Sequence, residues 1–295
     1  MNKYNYRDMI FSYGMLLPAL VIVFVFAFVP AFYAFYLSFF KSNFLIFNRH
    51  WVGFTNYITV ITSGQFWIAF YKIFQYTFWG VILQFILGVL LALSLNKPMK
   101  GRSFFRTAII LPWTLSPVII AIIFTTILSP SNSGLLNYCL MQLGLLKEPV
   151  AWLGIGKAMT MVIVTNTWFG VAFSMLIELA GLQSIPEDVY EAAKVDGAAT
   201  VQSFFKITLP LLKPIILINL IWITISTFNE FDLVYAMTGG GPIDETNLLG
   251  IYMYNTAFNA GKFELGSTIA IFMFMTNAMM TFIYTKVLKY QSSLA

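Results

Sequence analysis

The hydrophobic positions of this chain come in long unbroken blocks. They show neither the alternation of a half-buried strand nor the narrow stripe of a surface helix. Six blocks stand out, at about residues 13–40, 69–95, 107–128, 158–181, 214–237 and 265–288. Each is long enough in helical form to cross a hydrocarbon layer of about 30 Å. A backbone in lipid must satisfy its own hydrogen bonds, and continuous apolar runs predict that helices do this rather than barrel strands. The first block is longer than a span needs, which predicts a tilted or projecting helix. It also exceeds the core of a cleavable signal and no Ala-x-Ala site follows it, so it reads as a retained first span.

Composition narrows the class. Of 295 residues, 59% are hydrophobic and 10% charged, against roughly 25% charged in an ordinary soluble domain. A soluble fold and a disordered chain are both excluded. The predicted fold class is an all-α integral membrane protein with six transmembrane helices. The net charge of +5 sits mostly in short loops, which points to orientation in a bilayer and not to nucleic acid. With the N-terminus inside, the cytoplasmic side holds Lys3, Arg7, Lys97, Lys100, Arg102, Arg106, Lys194, Lys206, Lys213, Lys286 and Lys289. The outer side holds only Lys41, Arg49, Lys147, Lys157 and Lys262. This bias predicts that both termini are cytoplasmic. Lys72, near the outer end of the second block, is placed to snorkel. The single Cys139 and single His50 allow no intramolecular disulfide and no His/Cys metal cluster. No metal and no cofactor are predicted. In the outer loop 41–68, Trp51, Phe54, Tyr57, Phe66 and Trp67 read as interfacial anchors. The loop 129–157, with Gly134, Asn137, Gly144 and Trp152, reads as a packed cap or a partner contact.

The inner loop between the fourth and fifth blocks is the most structured. Ser184-Ile185-Pro186-Glu187 has the form of a capping box, with Pro186 acceptable in a first turn. Glu187 and Asp188 favour the positive end of a helix that runs to Val195, and Gly197 supplies its stop. Thr200 can cap a second short helix, which Pro210 should end. Small residues fill the centre: Ala192, Ala193, Gly197, Ala198 and Ala199. Such a surface suits close approach by another body, or a hairpin lying on the membrane.

Glu191-Ala192-Ala193, three residues, Gly197, nine residues, then Ile207-x-Leu209-Pro210 resembles the EAA loop of binding-protein-dependent ABC importer permeases. The resemblance implies a type I importer permease whose short helix couples to separate ATPase subunits through Glu191, Ala192, Ala193, Asp196 and Gly197. A broader set of residues is similar to carbohydrate-type permeases of the maltose-F/glycerol-phosphate-A kind, over roughly residues 13–290. It includes Leu111-Pro112, Ser133-Gly134, Asn137, Leu143-Gly144-Leu145, Trp152-Leu153, Leu179 to Gln183, Phe231-Asp232-Leu233 and Thr238 to Pro242. That resemblance implies a heterodimer with a second permease, two ATPase subunits, an extracellular solute-binding protein, a carbohydrate substrate and a bacterial cytoplasmic membrane. The implied division is 1–68 for the first span and outer loop, 69–290 for the transmembrane domain with its EAA loop at 182–213, and 291–295 for a tail. The chain has no Gly-x4-Gly-Lys-Ser/Thr loop to cradle phosphates, so it is predicted not to be an enzyme and ATP hydrolysis falls to partners.

Two polar stripes lie inside the apolar blocks. Asn166, Phe169, Gly170 and Phe173 share one face of the fourth helix. Ile223, Ser226, Thr227 and Glu230 share one face of the fifth, and Asn219 extends that stripe inward. Amides and a carboxylate are costly against lipid, so these faces should meet water or protein. They predict a cavity in which aromatic faces and hydroxyl-bonding groups receive a sugar. The bland alternative is bonding between neighbouring helices. Asn166-x-Trp168-x-Gly170 resembles the sugar-contacting segment of maltose-type permeases. A glycerol-phosphate permease of the same family and an ion-coupled secondary carrier are the rival functions; the latter would show repeated halves, and none is evident.

Overall fold

The computed structural model describes residues 6–43 and 46–292. Lys3 and the tail residues 293–295 lie outside the described residues. The helices follow the apolar blocks, with breaks where proline or glycine intervenes. In chain order they begin with α1 (Tyr6–Val23) and α2 (Val29–Leu37), then a hairpin of β1 (Phe40–Asn43) and β2 (Ile46–Trp51), then α3 (Thr55–Ile61). Next come α4 (Gly64–Asn96), α5 (Arg102–Ile110), α6 (Pro117–Ile127), α7 (Leu135–Gln142) and α8 (Ala158–Ser184). The chain continues with α9 (Glu187–Val195), α10 (Thr200–Ser203), α11 (Leu209–Phe228), α12 (Asp232–Thr238), α13 (Leu249–Tyr254) and α14 (Phe263–Ser292). Among the described residues, five helices are long and apolar enough to cross a membrane, and a sixth candidate is a bent pair.

The predicted span 107–128 is that bent pair. Arg102–Thr114 and Pro117–Ile127 meet at 101°. The cause is local: Pro117 has no N–H to continue a helix and holds Ser116 extended, at φ −66° and ψ 141°. The predicted fifth span, 214–237, also shifts. It starts earlier, stops at Phe228 and Asn229, and is followed by the separate α12. Pro210 does not end the preceding short helix. A wide π turn at Phe204–Thr208 joins α10 to α11, closed by the Leu209 N–H on the Phe204 carbonyl. That five-residue spacing sidesteps the i−4 bond that Pro210 cannot make. The same arrangement occurs at Phe24–Phe28, where the Val29 N–H reaches the Phe24 carbonyl just before Pro30.

The chain divides into two compact units. One comprises Met1–Phe66 and Met253–Phe274. Its best-tied part is the turn after α2. The buried Ser38 hydroxyl donates to the Phe35 carbonyl at 2.7 Å and lies 2.8 Å from the Tyr57 hydroxyl, while Asn56 Nδ2 donates to the carbonyls of Ser38 and Phe40. The Phe39 ring stacks on Trp51 and meets Phe54 edge-on. Trp51 and Phe54 are exposed, as anchors should be, but Phe66 is only 2% exposed and packs on Phe272. Phe66 is therefore a core residue and not an interfacial anchor.

The other unit comprises Trp67–Tyr252 and Met275–Ala295. Its core joins α4, α8 and α11 through Ala92, Leu95, Met175, Leu179, Leu182 and Leu212. Lipid gives helices little hydrophobic reason to associate, so packing and polar bonds must hold them. Asn219 of α11 supplies such bonds: its Nδ2 donates to Ser174 Oγ at 2.8 Å and to Glu178 Oε1 at 3.0 Å, both on α8. The loop 129–157 is organised around the buried Asn137. Its Nδ2 donates to the carbonyls of Ser129 and Val150, and its Oδ1 accepts from the Val150 N–H and from Trp152 Nε1.

Candidate functional site

The cavity forms where α8 and α11 face each other with α4 behind them. All but one of the residues that the sequence named on the two stripes line it: Asn166, Phe169, Gly170 and Phe173 from α8, and Ile223, Ser226, Thr227 and Glu230 from α11 and its end; Asn219 instead bonds α8 below it. Its volume is about 130 Å³. Glu230 lies just past the end of α11, where its Oε1 accepts the Leu233 N–H at 3.0 Å and so tethers the carboxylate to the start of α12. It is the only ionisable side chain among the described residues that line the cavity.

Gln84, Trp113 and Trp222 complete the lining and were missed by the sequence reading. Gln84 is one of two amides, with Gln75, inside the apolar block 69–95, and that was its signal. Its Nε2 donates to Thr227 Oγ1 at 3.3 Å. The amide needs the bare backbone opposite: a Cβ on Gly170 would lie 2.2 Å from Gln84 Oε1. Trp113 arrives through the bend between α5 and α6, which a straight span would have aimed elsewhere. Trp113, Phe173 and Trp222 then form a row, with ring centroids 5.3 Å and 5.1 Å apart and planes tilted by 33° and 34°. Beside this row, Asn166 Nδ2 is buried and has no acceptor among the described residues. The cavity thus offers an aromatic wall, an open amide donor, two hydroxyls and a carboxylate. These are groups for hydroxylated solutes; they do not form a nucleophile–base constellation. Trp168 is not part of it and packs on Phe124.

The EAA-like loop builds a second surface. The predicted capping box is absent, because Ser184 is still in α8 and its hydroxyl donates to the Gly181 carbonyl at 2.7 Å. Pro186 takes the N-cap position of α9 without a side-chain cap. The other end is well closed. Gly197 has φ +77°, the Gly197 N–H meets the Lys194 carbonyl, and the Ala198 N–H meets the Ala193 carbonyl, which is a Schellman termination. Glu191, Ala192, Asp196 and Gly197 are exposed. Ala193 turns inward at 7% exposure. Tyr190, which the sequence reading passed over, brings its hydroxyl to 3.1 Å from Thr208 Oγ1 and ties α9 to the π turn at the root of α11.

The family described as binding-protein-dependent transport system inner membrane component matches residues 84–289. The trehalose/maltose transport system permease protein MalF of Thermococcus litoralis is 37% identical over 287 residues, 97% of this chain and 96% of that one. The multiple sugar-binding transport system permease protein MsmF of Streptococcus mutans is 31% identical over 292 residues, 98% of this chain and 97% of that one. A crystal structure of a bacterial ABC transporter involved in the import of the acidic polysaccharide alginate contains a chain that aligns with a TM-score of 0.79 and 25% identity, covering 96% of each. With its spans, its cavity and its family match over most of its length, the chain belongs to the inner-membrane components of binding-protein-dependent transport systems.

Proposed function

We propose that this chain is the permease subunit of an ATP-driven importer of neutral sugars or oligosaccharides. The observation that carries the reading is the single cavity in which Asn166, Gln84 and Thr227 stand beside the row Trp113, Phe173 and Trp222. Aromatic faces suit the apolar faces of sugar rings, and amides and hydroxyls suit ring hydroxyls. The relatives named for trehalose/maltose and for multiple sugars support the substrate class. Glu230 argues against an acidic or phosphorylated solute, because like charge in a partly dry cavity is unfavourable. The pathway needs a second permease, and solute reaches it from an extracellular binding protein. ATP is hydrolysed on two separate subunits, since this sequence lacks a phosphate-cradling loop. Glu191, Ala192, Asp196 and Gly197 meet those subunits, and the buried Ala193 packs behind them. Their motion passes along α9, through Tyr190 and Thr208, into α11 and so to the cavity. Both termini are cytoplasmic by the distribution of basic residues.

The test is the assembled complex in vesicles, with its ATPase subunits and binding protein. Maltose, trehalose and longer neutral sugars are each assayed for stimulation of ATP hydrolysis and for uptake. Asn166→Ala should raise the sugar requirement by about tenfold, as expected for one lost hydrogen bond in a dry site, while basal hydrolysis stays intact. Equal loss of basal and stimulated hydrolysis would assign Asn166 a structural role. Stimulation by glycerol phosphate and not by any neutral sugar would overturn the substrate class.

A further inference from the structure

A larger cavity, of about 490 Å³, lies between the outer halves of α4 and α8 and takes no part in the pathway just described. Its lining changes character with depth. At the level where α8 begins stand Lys72, Gln75, Thr160 and Glu245; deeper are Trp79, Leu83, Ile163 and Val164. On α4 it uses the side away from Gln84: the helical rotation from Gln84 to Gln75 is half a turn. Trp79 is 49% exposed and Val164 45%, so the deep half opens sideways on the helix surface. Inside a membrane, a surface that no partner covers meets acyl chains and not water.

The charges at the upper end are not equivalent. Glu245 is already engaged: its Oε2 accepts the Gly156 N–H at 2.7 Å and its Oε1 accepts the Met159 N–H at 3.2 Å, so it caps the N-terminus of α8 from a distant loop. Lys72 donates to the Asp244 carbonyl. An ammonium has three donors, and this one is half-exposed at the cavity rim. From Lys72 to Leu83 the helix rises about 16 Å, close to half of a hydrocarbon layer of about 30 Å. The cavity therefore has the polarity order, the length and the lateral opening of one lipid leaflet.

We propose that this groove is a binding site for an anionic phospholipid of the outer leaflet, with its phosphate on Lys72 and an acyl chain along Trp79, Leu83, Ile163 and Val164. A free sugar does not fit the site, since its hydroxyls would face the apolar half and the bilayer. A tightly held lipid would fix the outer ends of α4 and α8 against each other.

The test is lipid analysis by mass spectrometry of the assembled complex, purified in mild detergent from membranes that contain phosphatidylglycerol. Wild type should retain phosphatidylglycerol in preference to neutral lipid. Lys72→Gln should lower the retained amount about fivefold, the value of one basic residue at an anionic surface. Val164→Trp, which fills the apolar half and leaves Lys72 and its loop contact in place, should lower it similarly. In vesicles, phosphatidylglycerol with brominated chains should quench tryptophan emission more than brominated phosphatidylcholine, and Trp79→Phe should remove that difference. Equal lipid retention by wild type and both variants would overturn the proposal. So would efficient crosslinking of Thr160→Cys to the second permease, which would show that protein covers the groove. None of these three readouts involves transport, so the site stands or falls independently of the sugar assignment.

Discussion

The cavity between α8 and α11 and the short helix α9 are the two surfaces on which the proposed cycle depends, and they are built on opposite plans. The cavity is made by side chains, most of them on α4, α8 and α11. Its amides, hydroxyls and rings are placed by helical spacing, and one missing side chain, at Gly170, makes room for Gln84. The helix α9 is made by backbone. Its shape comes from the left-handed turn at Gly197, the Schellman bonds and the π turn that follows. A surface that recognises a solute needs distinct groups in distinct places. A surface that transmits force needs a fixed outline, to which small side chains add nothing that could yield.

The comparison breaks most sharply at Gly170. Gly170→Leu forces a Cβ to 2.2 Å from Gln84 Oε1 and fills the cavity; uptake should fall by about a hundredfold, as for a misplaced site. Basal ATP hydrolysis by the complex should persist, and the two rates measured side by side check this. At Gly197 the plan predicts sensitivity to backbone and not to volume, because no atom lies within 4 Å of where a Cβ would sit. Gly197→Val should cut sugar-stimulated hydrolysis about tenfold through the cost of about 1–2 kcal/mol for a side chain in the left-handed region. Gly197→Asn, which tolerates that region, should recover most of the loss. If valine and asparagine behave alike, bulk at the partner surface decides the outcome. The smallest effect belongs to the strut between the two surfaces. Tyr190→Phe removes one hydrogen bond to Thr208, worth about 1 kcal/mol; it should lower stimulated hydrolysis a few-fold without changing the sugar concentration for half-effect.

Much of this was legible in the residues. Periodicity placed Asn166, Gly170, Ile223 and Thr227 on facing stripes because polar groups in apolar helices have few other places to go. The outline of α9 followed from its alanines and Gly197. What escaped was decided by breaks between elements. Trp113 reaches the cavity only because Pro117 bends the third apolar block. Ser184 looked like a cap because the register of the α8 end depends on where Ile185 and Pro186 leave the helix. Phe66 looked like an anchor because hydropathy cannot tell a ring at a membrane surface from one packed on Phe272.

The wide turn ahead of Pro210 has a mechanical consequence. A π turn that relaxed to α spacing would drop one residue from the winding and screw everything beyond it by about 100°. Pro210 blocks that relaxation, since it has no N–H for the Lys206 carbonyl and its ring occupies the space such a bond would need. In the proposed cycle a push arriving from α10 therefore reaches α11 with the winding at this turn unchanged, so that Ile223 and Thr227 keep their azimuth relative to Leu209.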